Sequence, residues 1–249
     1  MKKLSLLLLA ALGLCGCGNY NYYPMPVNAP AFANKFETQA YTNMGAHGFY
    51  AGTGFSITDR MLLAGGYNSM PGIGGFYSKE GETSTGFNVL KRGSKYLNVY
   101  AGYGFGNSYH QDSGATFKTS HGNFNKPFTV ISFNTAVNGD KRVKADAIFA
   151  LKFDYLLYKG FRLATENNIT TDQPYNAEHF LYELYTGGNV GGKHVRFNFG
   201  MGFAFKRIVD IDHGIRVFPL HMSFGLTYIF LRHYESKEKT PGNNGNIGN

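Results

Sequence analysis

The sequence predicts an all-β protein, an antiparallel up-and-down transmembrane β-barrel of about ten strands over residues 36–230. Three observations carry this. Between Phe218 and Phe230 every second residue is large and apolar (Phe218, Leu220, Met222, Phe224, Leu226, Tyr228, Phe230), while His221, Ser223, Gly225 and Thr227 stand between them. Such a strand has one face suited to lipid and one suited to a wet, crowded interior. Comparable segments recur along the chain, and the connections between them alternate short and long, as in barrels with short periplasmic turns and long external loops.

The first element is not part of the barrel. Lys2 and Lys3 precede an apolar run from Leu4 to Leu14, too short for a transmembrane helix and placed as in an export signal. The run ends in Leu14-Cys15-Gly16-Cys17, which resembles a bacterial lipobox. That resemblance implies that residues 1–16 are a lipoprotein signal peptide and that Cys17 becomes the acylated N-terminus. Cleavage there leaves one cysteine, so no intrachain disulfide can form. Residues 17–35, rich in Asn, Tyr and Pro, read as an extended tether rather than a packed element, able to reach roughly 60 Å.

The strand-like segments then run over 36–44, 48–57, 61–69, 82–90, 96–108, 125–137, 143–157, 179–187, 194–206 and 216–230. In the ninth, Val195, Phe197, Phe199, Met201, Phe203 and Phe205 alternate with Arg196, Asn198, Gly200, Gly202 and Ala204. In the fifth, Leu97, Val99, Ala101, Tyr103 and Phe105 stand opposite Asn98, Tyr100, Gly102, Gly104 and Gly106. Glycine-lined faces let a small barrel close without overfilling its interior. The even-numbered connections are short and turn-like, at 58–60, 91–95, 138–142 and 188–193. The odd-numbered ones read as loops over 70–81, 109–124, 158–178 and 207–215, with only the first tight, near Gly45. An even strand number brings both ends out on the short-turn, periplasmic side, where a lipidated Cys17 in the inner leaflet would also lie. Residues 231–249 read as a disordered periplasmic tail.

A formal charge of +8, falling to +6 without Lys2 and Lys3, is mild and scattered. With no basic stripe and an export signal, it argues against nucleic acid as a partner. A soluble lipocalin or sandwich would turn its apolar face inward, leaving too many charges on the other. By parity Glu37, Asp146, Asp154 and Glu183 face Lys144, Lys152 and Arg196 across the lumen, as a salt-bridged polar core rather than a proton path or gated pore.

The last strand resembles the terminal signal read by the barrel-insertion machinery, through Gly225, Tyr228 and Phe230. More broadly the chain resembles uncharacterised Bacteroidota outer-membrane β-barrel lipoproteins. The likeness rests on the lipobox, Pro24-Met25-Pro26-Val27-Asn28-Ala29-Pro30, Lys35-Phe36-Glu37, Ile57-Thr58-Asp59-Arg60 and Gly102-Tyr103-Gly104-Phe105-Gly106. It implies an outer-membrane address, outer-membrane lipid and insertion machinery as partners, and no established activity.

Asp210, Asp212 and His213 lie in the last external connection, but the Asp-x-His spacing and second acidic pair of the omptin proteases are missing. His110 with Ser113 or His121 is the one pairing suited to a lipid hydrolase, and Asp112 is an isolated acid. No zinc, calcium or phosphate motif is present, and no cofactor is implied. The sequence therefore points to a non-enzymatic structural or accessory component of the envelope, contacting an envelope protein through its loops or tail. A rim hydrolase and a narrow pore for small solutes are the competing readings.

Overall fold

The computed structural model describes residues 22–30, 32, 35–45, 48–73, 75–111, 118–137, 143–166, 169–206, 217 and 219–230. Ten strands form a closed antiparallel barrel in which each pairs with its sequence neighbours and β1 seals against β10. They are β1 (Thr38–Gly45), β2 (Gly48–Ser56), β3 (Met61–Ile73), β4 (Phe76–Arg92), β5 (Lys95–Gln111), β6 (Lys118–Val137), β7 (Lys144–Glu166), β8 (Ile169–Gly191), β9 (Val195–Lys206) and β10 (Leu220–Phe230). At the seam Thr38 stands opposite Phe230 and Gly45 opposite Ser223.

The alternation acts as a lipid would require. Met222, Phe224, Leu226, Tyr228 and Phe230 face outward with Val195, Phe197, Phe199 and Phe205, whereas Asn198, His221, Ser223 and Thr227 are buried inside. This inside-out arrangement, apolar outside and polar within, suits a bilayer and not water. On β8 the outward belt runs from Val190 to Phe180, ten residue steps, or roughly 25 Å after strand tilt. Aromatic side chains mark its upper edge: Tyr155 and Phe180 lie 4.7 Å apart there, with exposed Lys159 and Glu178 above them.

Inside, large rings are seated over glycines of neighbouring strands. Tyr41 covers Gly52, where an added Cβ would lie 2.6 Å from the ring; Tyr50 covers Gly66, Tyr100 covers Gly86 and Tyr185 covers Gly200. The glycine face thus makes room for tyrosines rather than for an open channel. At the seam, a Cβ on Gly225 would collide with the Thr42 carbonyl, so close approach of β1 explains that glycine sterically.

Two expectations are corrected. Three of the connections read as long external loops, 70–81, 109–124 and 158–178, are mostly strand: β3 and β4 pair up to Ile73 and Phe76, β5 and β6 up to Gln111 and Thr119, and β7 and β8 up to Glu166 and Ile169; the fourth, 207–215, lies outside the described residues. These parts rise above the apolar belt, where lipid no longer demands apolar outward residues, and backbone pairing sustains them without a hydrophobic stripe. The lengthened strands carry a polar pattern that resembles a loop.

The second correction concerns the tether. Residues 22, 24–30 and 32 are buried inside the barrel, with only Tyr23 partly exposed among 22–30. The segment starts among the upper parts of β4 and β6 and descends to the short-turn end, where Pro30 and Phe32 abut Gly54. A turn at Lys35 and Phe36, with Phe36 at φ 60°, then reverses the chain into β1. Three prolines keep it extended and remove three N–H donors that would otherwise need partners in the lumen. The signal peptide 1–16, Cys17 and the tail 231–249 lie outside the described residues.

Candidate functional site

The lumen is divided into two tiers by what lines it. In the outer tier β4 contributes Glu80 and Glu82, β6 Lys126, β7 Lys152 and Asp154, and β8 Glu183, every one buried. Lys126 Nζ lies 2.5 Å from Glu80, 2.7 Å from Glu82 and 3.5 Å from Asp154. Lys152 Nζ lies 2.5 Å from Glu82 and 3.5 Å from Asp154. Glu183 lies beside Asp154 and forms an ion pair with neither lysine. Three carboxyls thus share two ammonium groups, with the Glu183 carboxyl a fourth beside them.

Tyr22 caps this network. Lys126 donates to the Tyr22 hydroxyl at 2.7 Å, and that hydroxyl donates to Glu80 at 3.4 Å. The same lysine lies 5.4 Å from the Tyr22 ring centre, and Lys152 lies 4.7 Å from that of Phe128. Aromatic faces therefore cover the ammonium groups where carboxylates do not. Phe124, Leu156, Tyr158, Ala177 and Leu181 pack round Tyr22 as an apolar collar. A barrel lumen open to water would not carry such residues; they face inward because a segment is there to meet them.

The inner tier is nearly uncharged. Val27, Ala29 and Phe32 pack with Leu62, Tyr100, Phe128, Val130, Ala150 and Tyr185. Tyr100 donates to the Pro30 carbonyl at 2.7 Å, and Tyr41 hydrogen-bonds Asn28. Beside the segment a cavity of about 50 Å³ remains, lined by Gln39, Asn43, Tyr50, Asn189 and Asn198 among others. That is room for a few waters. At the short-turn mouth Arg196 pairs with Asp146, and Gln39 donates to Glu37 at 2.8 Å.

Of the charges expected in the lumen, Lys152, Asp154 and Glu183 belong to the outer tier, while Glu37, Asp146 and Arg196 lie at the opposite mouth. They are two groups, not one network. Lys144 is exposed at the rim and leaves the set. The sequence reading missed Lys126, Glu80, Glu82 and Tyr22. Glu80 lay in a stretch read as loop, and Lys126 sits between inward Phe124 and Phe128, which imitate a lipid-facing pattern. The polar spacing Ser78, Glu80, Glu82, Ser84 was the available signal.

Of the rim candidates, His110 and His121 are described and do not come together. His110 points inward on β5 and His121 outward on β6, on opposite faces of the wall, with His121 stacked 5.8 Å from Phe161. Asp112, Ser113, Asp210, Asp212 and His213 lie outside the described residues. Among the described residues no group of three or more His, Cys, Asp or Glu is placed to hold a metal ion. Tyr228 and Phe230 face outward with ring centres 4.4 Å apart.

No protein-family model matches the chain, and no curated protein does. Among solved structures, the chain is similar to the translocator domain of the autotransporter NalP from Neisseria meningitidis, at 11% identity and a TM-score of 0.39, over 78% of this chain and 86% of that one. It is similar to the β domain of the Bordetella autotransporter BrkA, at 14% identity and a TM-score of 0.28, over 78% and 97%. A third likeness is to OmpT, an outer membrane protein of Vibrio cholerae, at 8% identity and a TM-score of 0.21, over 78% and 96%.

Proposed function

We propose that this chain is a closed, non-enzymatic barrel of the bacterial outer membrane, anchored through acylated Cys17, that serves as a structural or accessory component of the envelope. The observation that carries this is the occupied lumen: the chain's own residues 22–30 and 32 lie in it, held by a buried charge network at one level and by tyrosines at the other. A transport barrel spends its lumen on solute, whereas this one spends it on itself. The upstanding hairpins of β5 to β8 and the C-terminal tail are the surfaces left for an envelope partner. Gly225, Tyr228 and Phe230 serve insertion, with Tyr228 and Phe230 presented on the outside of the closing strand.

The test is planar-bilayer recording on the full chain purified from membranes in detergent. Silence, together with a folded band that migrates differently before and after boiling, is the expected result. Steady conductance would favour the narrow pore, and hydrolysis of lipid or peptide lost in His110→Ala would favour the enzyme.

A further inference from the structure

We infer that the N-terminus of the mature chain leaves the barrel through its external mouth, so that an acyl group on Cys17 lies in the outer leaflet and the residues beside it are displayed on the cell surface. The inference rests on the outer-membrane reading and specifies on which side its anchor lies.

The argument is one of reach and obstruction. Tyr22 is fixed by Lys126 and Glu80, and these stand eleven residues up β6 from Val137 and twelve up β4 from Arg92. With ordinary rise and tilt, that level is roughly 28–30 Å above the short-turn mouth. Cys17 precedes Tyr22 by five residues. Five residues span at most about 18 Å, so even a straight descent stops about 10 Å above the short-turn mouth, short of the inner-leaflet headgroups.

Descent is also blocked. The lumen below Tyr22 is occupied by residues 24–30 and 32, and the cavity beside Asn28, Gln39 and Asn198, about 50 Å³, is too small for a second strand of chain. Below that level the wall gives no side exit, because neighbouring strands there are paired on both edges. Upward the way is short. Tyr22 bridges Val217, just ahead of β10, and Tyr23 lies 4.6 Å from Phe76 at the top of β4. The rim is low at the β1–β2 hairpin, where Gly45 pairs with Gly48 and Met44 and Phe49 face outward. That apolar step joins the mouth to the outer leaflet, which suits an acyl chain.

Two single-cysteine positions test this in intact cells expressing the full chain. Asn19→Cys flanks the anchor, and Ser236→Cys follows β10, whose last residue Phe230 stands at the short-turn mouth. A membrane-impermeant maleimide should label Asn19→Cys equally before and after the outer membrane is permeabilised, and Ser236→Cys only after. A Cys17→Ser background removes the native thiol and reports whether labelling depends on acylation. An epitope inserted between Gly18 and Asn19 should bind antibody on intact cells. If Asn19→Cys and the epitope become reachable only on permeabilisation, while the protein stays in the outer-membrane fraction with a boiling-sensitive band, the inference is wrong. If that fraction and that band are absent, the barrel reading itself has failed.

Discussion

In the outer half of the lumen Tyr22 is held by charge: one lysine between two glutamates and an aspartate, with a second lysine completing the network. In the inner half Val27, Ala29 and Pro30 are held by contact with tyrosines and aliphatic side chains, and by neutral hydrogen bonds from Tyr100 and Tyr41. One segment is thus gripped by two kinds of force with different sensitivities. A buried charge network is costly to leave incomplete, because the remaining ions stay out of water. An apolar seat loses stability in proportion to the contact removed. The outer tier should therefore fail abruptly and the inner tier by degrees.

Removing the segment breaks the comparison outright. Deletion of 22–32 should turn a silent barrel into a conducting one in planar bilayers, with preference for cations because the outer tier has four carboxyls for two lysines. Ion selectivity is then read from the reversal potential in a salt gradient. Next in size, Lys126→Met should lower stability by roughly 3–5 kcal/mol, since it leaves Glu80 and Glu82 short of their shared partner. The midpoint of the boiling-sensitive gel shift measures it.

Gly54→Leu attacks the other end. An added Cβ there would meet Pro30 at 2.6 Å and Phe32 at 2.8 Å, so overpacking of about 1–3 kcal/mol should loosen the inner seat. Hydrogen exchange should rise at residues 27–32 and remain low at Tyr22. Tyr22→Phe does the reverse, removing one hydroxyl from a charged network at a cost of about 2 kcal/mol, with exchange rising at 22–25 first. Smallest of all, Arg196→Met breaks a pair at the mouth, where the side chains retain 11% and 18% exposure, and should cost about 1 kcal/mol. A loss as large as that of Lys126→Met would show that the two tiers act as one.

How much was legible in advance differs by face. The outward rows on β9 and β10 could be read residue by residue, because lipid imposes one rule on each outward position. The tops of β4, β7 and β8 escaped that rule by rising above the lipid, and so imitated loops. The inward face was legible only in part. Asp154 and Glu183 followed from parity, but Phe124, Phe128 and Leu156 break the polar-inside pattern for a reason that local sequence does not contain.

By itself the sequence determined the number of strands, their order and the face each presents to lipid, because these depend on patterns within about ten neighbouring residues and on turns that join adjacent strands. Only the tertiary structure decided what fills the barrel. Tyr22 meets Glu80 across 58 positions and Lys126 across 104, and Pro30 meets Tyr100 across 70. Such contacts leave no period in the chain, and an Asn- and Pro-rich stretch reads alike whether it wanders in water or stands extended inside a closed sheet. Its place was settled by which side chains the closed wall had turned inward to receive it.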